Sequence, residues 1–195
     1  MYYNEKHEYT LEGEKLPSVS QILRFMSREV YEDVNQYSVD NAAKRGSAVH
    51  EACELLDKYK MVECDDEYVP YIEGYIKFLR EYSVEWSEIE KQYYHAERMY
   101  AGTIDRYGMA GGKKSLVDIK TTCTVHKTLV KAQINAYNDM RISQGLDDAE
   151  KLYCVQLKND GNYRLYEVAK DMTEFDACYA LHTALSKKHK RGVIE

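Results

Sequence analysis

An aspartate and a lysine sit two residues apart in SLVDIKTT (115–122), inside a run that is otherwise apolar. Strand side chains alternate, so Asp118 and Lys120 share a face, roughly 7 Å apart along the strand. A second acid, Asp105, lies just upstream in GTIDRYG. The intervening MAGGKK carries a Gly-Gly pair, a hairpin signal. A hairpin closing there makes Asp105 and Asp118 near cross-strand neighbours. Two carboxylates alone would repel, and one would be driven to its neutral form. A divalent cation removes that conflict, because Mg²⁺ takes hard oxygen ligands, commonly one or two carboxylates with waters and substrate phosphate. Such an ion lowers the pKa of a bound water and stabilises charge on a phosphate under in-line attack. The lysine can orient that water and offset charge on the phosphoryl oxygens. The competing explanation is a structural ion pair, since Asp-x-Lys on an exposed edge strand is ordinary and contributes little. SLVDI is too apolar for an exposed edge, and a charge buried there is costly unless paired or metal-bound.

The 195 residues suffice for one domain with a sizeable core, divided into a mainly helical part over 1–84 and a βββαββα core over 85–195. EYTLEGEK (8–15) predicts a short hairpin or an extended arm. In LPSVSQILRFM, Ser18 and Gln21 fit a capping box that opens a helix of about ten residues. A long helix spans 40–60, with Ala43, Ala48, Val49, Ala52, Leu55 and Leu56 on one stripe. Gly46 interrupts it at about 1 kcal/mol relative to Ala, which points to a close backbone approach. A third helix covers 67–82. Strands follow over 86–99, 102–109 and 114–121. VHKTLVKAQINAYNDMRISQG forms the next helix, ended by Gly145. LYCVQLK and YRLYEVA are two further strands joined by NDGN, and a helix over 172–190 closes the chain. This order predicts an α/β fold with a mixed sheet and one crossover helix.

The net charge of −6 argues against a simple electrostatic nucleic-acid binder. Locally, KTLVK (127–131) and KKHKR (187–191) are basic, and backbone N–H groups where His126 and Lys127 open a helix can meet a phosphate. A metal-dependent phosphate enzyme can be acidic overall, because bound cations supply positive charge at the site. Five cysteines without a C-x-x-C pair argue against a disulfide framework, a zinc ribbon or a four-Cys cluster. No apolar run is long enough to span a membrane, and MYYNEKHEYTLEGEK lacks the order of a signal peptide, so a cytoplasmic location is expected. No P-loop is present.

GTIDRYG followed by LVDIKTT resembles the Asp…Asp-x-Lys signature of the PD-(D/E)xK nuclease superfamily, and within it the RecB-like and lambda-exonuclease-like branch. RGSAVHEACELL resembles that branch's helical Gly-x-x-x-His motif, here Gly46 and His50. QINAY resembles its Gln-x-x-x-Tyr motif, here Gln133 and Tyr137, and LPSVSQIL resembles the Ser/Thr-rich helix start of phage-encoded members. The likeness runs from about residue 8 to at least 170. It departs from the pattern where Ile104, not Pro, precedes Asp105.

The resemblance implies a restriction-endonuclease-like core, a central mixed sheet of about five strands flanked by helices, with an N-terminal helical section. It implies Asp105 and Asp118 as metal ligands with the Ile119 carbonyl, Lys120 as the catalytic lysine, and His50 as a ligand or phosphate contact. Gln133 and Tyr137 would support Lys120 and the DNA strand, with Glu97 as an accessory acid. Ser18, Ser20, Arg106, Lys127 and Lys131 would contact DNA, as could Tyr107 beside Asp105. The implied cofactor is Mg²⁺ or Mn²⁺, one or two ions. No iron–sulfur cluster is expected, because only Cys123, Cys154 and Cys178 lie downstream of Lys120, too few for a four-Cys cluster there. The implied activity is a metal-dependent DNA exonuclease on linear duplex ends, in phage-type recombination or DNA processing. Implied partners are DNA, a single-strand annealing protein and further copies of the chain, with no membrane. Three alternatives stay open: an endonuclease, a catalytically silent nucleic-acid-binding module of the same fold, and a structural subunit whose carboxylates only form ion pairs. Retention of both acids and the lysine speaks against the silent module.

Overall fold

The structure, a computed structural model, describes residues 2–3, 8–32 and 34–190, with side chains over 8–32 and 34–186. Three short strands, β1 (Tyr2–Tyr3), β2 (Tyr9–Leu11) and β3 (Glu14–Leu16), pair antiparallel in that order. Glu12 and Gly13 make the β2–β3 turn at φ 52° and 89°, the positive values that tight hairpins require. Next, Ser18 Oγ accepts the Gln21 N–H and Gln21 Oε1 accepts the Ser18 N–H, both at 3.0 Å. That box opens α1 (Val19–Ile22), which breaks at Leu23 and resumes as α2 (Arg24–Tyr31). The break replaces the single expected helix, and it lets α1 bury Val19 and Ile22 while α2 has no fully buried residue.

The long helix α3 (Gln36–Tyr59) begins four residues earlier than its apolar stripe predicts, because the Asn35 side chain caps it by accepting the Tyr37 N–H at 2.8 Å. A 3₁₀ turn leads into α4 (Val69–Glu81), which carries Pro70 in its first turn. The sheet then follows as β4 (Glu85–Tyr94), β5 (Ala101–Ala110) and β6 (Lys113–Lys120). The crossover helix α5 (Lys127–Ser143) leads to β7 (Lys151–Leu157), β8 (Tyr163–Val168) and α6 (Thr173–Lys190).

The five strands are ordered β4-β5-β6-β7-β8, antiparallel except for the β6–β7 pair that α5 connects. The expected mixed α/β sheet flanked by helices is therefore what forms. Alternation along β6 sorts its apolar residues. Val117 and Ile119 pack with Val49, Ala52, Ile72 and Phe78 of α3 and α4, while Leu116 packs with Ile22, Ile134 and Phe175 of α1, α5 and α6. The catalytic candidates lie where these layers meet at the C-terminal end of β6.

One strand is shorter than expected. His95 Nδ1 accepts the N–H groups of Glu97 (3.2 Å) and Arg98 (3.1 Å), and its own N–H donates to the Tyr100 carbonyl at 2.7 Å. These bonds close a turn and end β4 at Tyr94. Among the described residues the five cysteines are free, and no helix is long and apolar enough to cross a membrane.

Candidate active site

The β5–β6 ladder runs from Ala110↔Lys113 to Arg106↔Val117 and stops there. Asp105 and Asp118 are one register step further on, at the point where the strands part. Asp105 Oδ2 takes over the pairing by accepting the Ile119 N–H at 2.7 Å. On the other side of β5, the pairs Ile89↔Arg106 and Lys91↔Ile104 set Glu90 opposite Asp105. Glu90 has φ 47°, a left-handed conformation that is disfavoured for a residue with a Cβ, especially within a strand. Such strain tends to gather at functional positions.

α3 supplies His50 to the same place. Ligand-capable atoms of His50, Glu90 and Asp105 all lie within 4.8 Å of one another. His50 Nδ1 is 3.6 Å from Glu90 Oε1 and 3.8 Å from Asp105 Oδ2. His50 Nε2 lies 3.0 Å from the Ile119 carbonyl. An N–H on Nε2 donating to that carbonyl leaves Nδ1 facing the acids, the arrangement by which second contacts orient ligating histidines. Burial disfavours the charged ring, but the Asp105 and Glu90 carboxylates outweigh it and raise the histidine to about 9. The Ile119 carbonyl, expected as a ligand, is thus engaged by His50.

Asp118 stands apart from this trio and belongs with Lys120. Its side chain is 1% exposed, and Lys120 Nζ approaches Oδ2 to 2.7 Å. That contact lacks hydrogen-bond alignment, so neither carboxylate oxygen has a hydrogen-bond partner. Burial pushes Asp118 up to about 6, Lys120 pulls it back, and Asp105 adds to the rise. Burial works against the Lys120 charge, but Asp118 and Asp105 hold its pKa above the ordinary lysine value. A buried carboxylate with two unpartnered oxygens is what a cation or ordered water satisfies. The donor set therefore fits a divalent ion.

Gln133 and Tyr137 sit one turn apart on α5, and Gln133 Nε2 donates to Tyr137 Oη at 2.9 Å. Burial, reinforced by the Asp118 charge, keeps the phenol protonated. The Tyr137 ring packs onto Gly102, where a Cβ would come within 2.8 Å of it. Lys120 lines two clefts. The larger, about 620 Å³, lies between α3 and the end of β6 and includes Gly46, His50, Glu90 and Ile119. The smaller, about 270 Å³, lies between α1, α2 and the start of α5 and includes Ser20 and Gln133.

Several expectations need correction. Glu97 is on the exposed turn after β4, and Glu90, seven residues earlier, is the acid beside Asp105. Arg106 has no surface for DNA. Its Nε donates to Asp57 Oδ2 (2.6 Å), and its Nη1 donates to Glu90 Oε1 (2.8 Å) and the Asp105 carbonyl (2.7 Å). Tyr107 is buried under the Arg141 guanidinium, 3.3 Å from its ring centre. Lys131 is held by Asp171 (2.7 Å) and Glu174 (2.6 Å). The Ser18 hydroxyl is occupied as a cap, whereas Ser20 reaches the smaller cleft. Lys127 is exposed, 6.0 Å from the Tyr166 ring. Gly46 meets no backbone: a Cβ there would find only Thr121 Oγ1, at 3.9 Å. The side chains of 187–191 lie outside the described residues. Glu90 was not legible in the sequence, because the β4–β5 register that places it across from Asp105 carries a bulge at Trp86–Glu88.

No known family's model matches the chain, and no curated protein matches it. Solved structures do. The crystal structure of SSO0001 aligns with a TM-score of 0.48 at 17% identity, over 92% of this chain and 80% of that one. An alkaline exonuclease from Laribacter hongkongensis aligns with a TM-score of 0.47 at 14% identity, over 90% and 92% respectively. Likeness at this distance assigns no activity, which leaves the site's own chemistry to do so.

Proposed function

We propose that the chain is a metal-dependent nuclease that hydrolyses DNA phosphodiesters, acting as an exonuclease on linear duplex ends. The observation that carries this is one juxtaposition: the His50–Glu90–Asp105 group beside the unpartnered Asp118 carboxylate and the charged Lys120 at the wall of an open cleft. Asp105, Glu90 and His50 Nδ1 would hold the ion, with Asp118 as a further oxygen donor. A bound Mg²⁺ or Mn²⁺ supplies Lewis-acid activation of water and neutralises charge at the phosphate. Lys120 carries its ammonium to the boundary of both clefts, where it can hold the attacking water and meet a phosphoryl oxygen. Gln133, hydrogen-bonded to Tyr137, shares the smaller cleft with Lys120 on the α5 side. The His50 bond to the Ile119 carbonyl holds the end of β6, and therefore Asp118 and Lys120, at a fixed distance from α3. In this reading the exposed single strand passes to an annealing protein in recombination-type end processing, and assembly of several copies keeps the duplex engaged.

The test is digestion of end-labelled linear duplex DNA beside a closed circle, with Mg²⁺, Mn²⁺ or EDTA, using wild type and Lys120→Ala. Metal- and Lys120-dependent loss of label from linear DNA alone supports the exonuclease and shows which end is attacked. Cutting of the circle makes it an endonuclease. A folded protein that cuts neither substrate with either metal sinks the proposal.

A further inference from the structure

Beyond the catalytic cleft lies a second groove of about 410 Å³, walled by Thr121–Val125 on one side and by the β7–β8 turn region on the other. Thr121 and Thr122 line both spaces, so the two adjoin at this segment. The segment is fastened from β7: Gln156 Nε2 donates to the Thr122 (2.7 Å) and Cys123 (2.9 Å) carbonyls, while Gln156 Oε1 accepts the Tyr166 hydroxyl at 3.1 Å. Register places the groove relative to the catalytic lysine. Lys120 pairs with Gln156, and Gln156 with Arg164. Arg164 therefore stands on the same rung and face as Lys120, two strand spacings or roughly 10 Å away.

The charge along this edge differs from that at the opposite ends of the same strands. There, each lysine is neutralised: Lys113 by Glu150 (3.1 Å), Lys151 by Glu167 (2.5 Å), Lys170 by Asp148 (2.7 Å) and Lys114 by Asp147. Arg164 and Lys158 line the groove, and neither makes an ion pair within 4 Å among the described residues. Asp160, two residues on, feels the Lys158 charge without closing an ion pair, and in a chain of net charge −6 two cations without a close acidic partner beside a groove mark an anionic occupant. Their surroundings narrow the class. The Arg164 guanidinium lies 4.9 Å from the Tyr166 ring centre, and Tyr71 lines the same space. Stacking on an aromatic ring or a guanidinium plane requires an unpaired base.

We propose that this groove binds a single-stranded stretch of the nucleic acid being cut, with Arg164 and Lys158 on its phosphates and the Arg164–Tyr166 pair as platform for an unpaired base. The assignment rests on the nuclease reading for its substrate. The Thr121–Val125 segment then separates the strand at Lys120 from the strand in the groove.

The test is fluorescence anisotropy with a short fluorescein-labelled oligothymidylate and a blunt duplex, in EDTA, across a salt series. The Arg164→Ala/Lys158→Ala double variant is compared with Lys113→Ala/Lys114→Ala, which removes the same charge from the opposite strand ends. The expected result is single-strand binding weakened about tenfold or more at low salt, with the slope of log K against log salt shallower by about 1.4, or about 0.7 per lost phosphate contact. The control stays within about twofold of wild type, and duplex binding falls far less than single-strand binding. Arg164→Lys keeps most of the salt slope but loses affinity, because lysine lacks the planar face. Single-strand affinity unchanged in the double variant, an equal fall in the control, or an equal fall on duplex each overturns the proposal. If the double variant misfolds, as its melting curve would reveal, Arg164→Ala alone decides. Failure of the wild type to cut DNA would sink the nuclease reading, and the metal-free binding comparison would still decide the groove.

Discussion

Asp57 and Asp118 are both buried carboxylates, with side chains 3% and 1% exposed, and the protein treats them in opposite ways. Asp57 Oδ2 accepts from Arg106 Nε (2.6 Å) and from the Tyr75 hydroxyl (2.7 Å), and that hydroxyl accepts from Trp86 Nε1 at 2.9 Å. Asp118 has one ammonium nearby and no aligned donor at all. Burial pushes the pKa of both upward, with Arg106 the main counterweight in one case and Lys120 in the other. A closed set of donors turns a buried charge into architecture. An open set leaves a deficit that only something external can fill, and Asp118 has that deficit next to the cleft. Arg106 belongs to the closed set yet also reaches Glu90, so the architectural network sets the position of one acid of the site.

The comparison is sharpest where activity and stability should come apart. Asp118→Asn and Lys120→Ala are expected to lower DNA cleavage on the order of a hundred- to a thousandfold, the scale of removing one electrostatic contact to a transition state. Asp118→Asn should lower the melting temperature far less than it lowers cleavage, because burial disfavours the Asp118 charge more than Lys120 offsets it. A variant that lost stability in step with activity would erase the distinction from Asp57.

Asp57→Asn should do the reverse. It leaves the buried Arg106 with Glu90 as its remaining carboxylate partner, and breaking one side of a buried pair costs up to about 3–5 kcal/mol. Urea denaturation should show that loss, and cleavage per folded molecule should fall much less than in Lys120→Ala. A stable Asp57→Asn protein would show that the Arg106 network does not hold the fold.

Much of this was legible in the sequence. The Gly-Gly hairpin made Asp105 and Asp118 near cross-strand neighbours, and i, i+4 spacing put Gln133 beside Tyr137. Contacts fixed by tertiary pairing were not legible. Arg106 follows Asp105 in sequence, and alternation only says that neighbours face opposite ways; whether the far face is solvent or α3 depends on where the long helix packs. Glu97 was attractive because periodicity extended the strand to 99, whereas a single histidine ring, accepting two backbone N–H groups, turned the chain at 95. Gly46 was expected to admit protein backbone and instead borders the cleft.

Gly46 gives a smaller and cleaner version of the contrast. Gly46→Ala has its nearest new contact at 3.9 Å, an ordinary distance, and replaces a mid-helix glycine, so it should stabilise by up to about 1 kcal/mol. Gly46→Leu would project a larger side chain into the cleft and should weaken cleavage while the melting temperature holds. Equal cleavage by wild type and Gly46→Leu would mean that substrate does not pass over this turn of α3.

The smallest effect separates His50 from Asp118 by pH. The metal-free folded protein holds His50 at about 9, above the ordinary 6.5. Its proton therefore contributes stability in full below about pH 6.5, and that contribution is lost as pH rises through about 9. Asp118, raised to about 6 from 3.8, has the same sign in a lower window: present below about pH 3.8 and gone above about 6. In EDTA the melting temperature should fall by a few degrees across the upper window, and His50→Gln should flatten that fall. The effect is modest because the His50 side chain keeps 27% of its surface in solvent. With Mn²⁺ the ring must give up its proton to ligate, so stabilisation by metal should grow with pH over the same interval. If His50→Gln follows the wild-type curve in EDTA, the histidine is not held by these two acids, and its place in the ligand set falls with it.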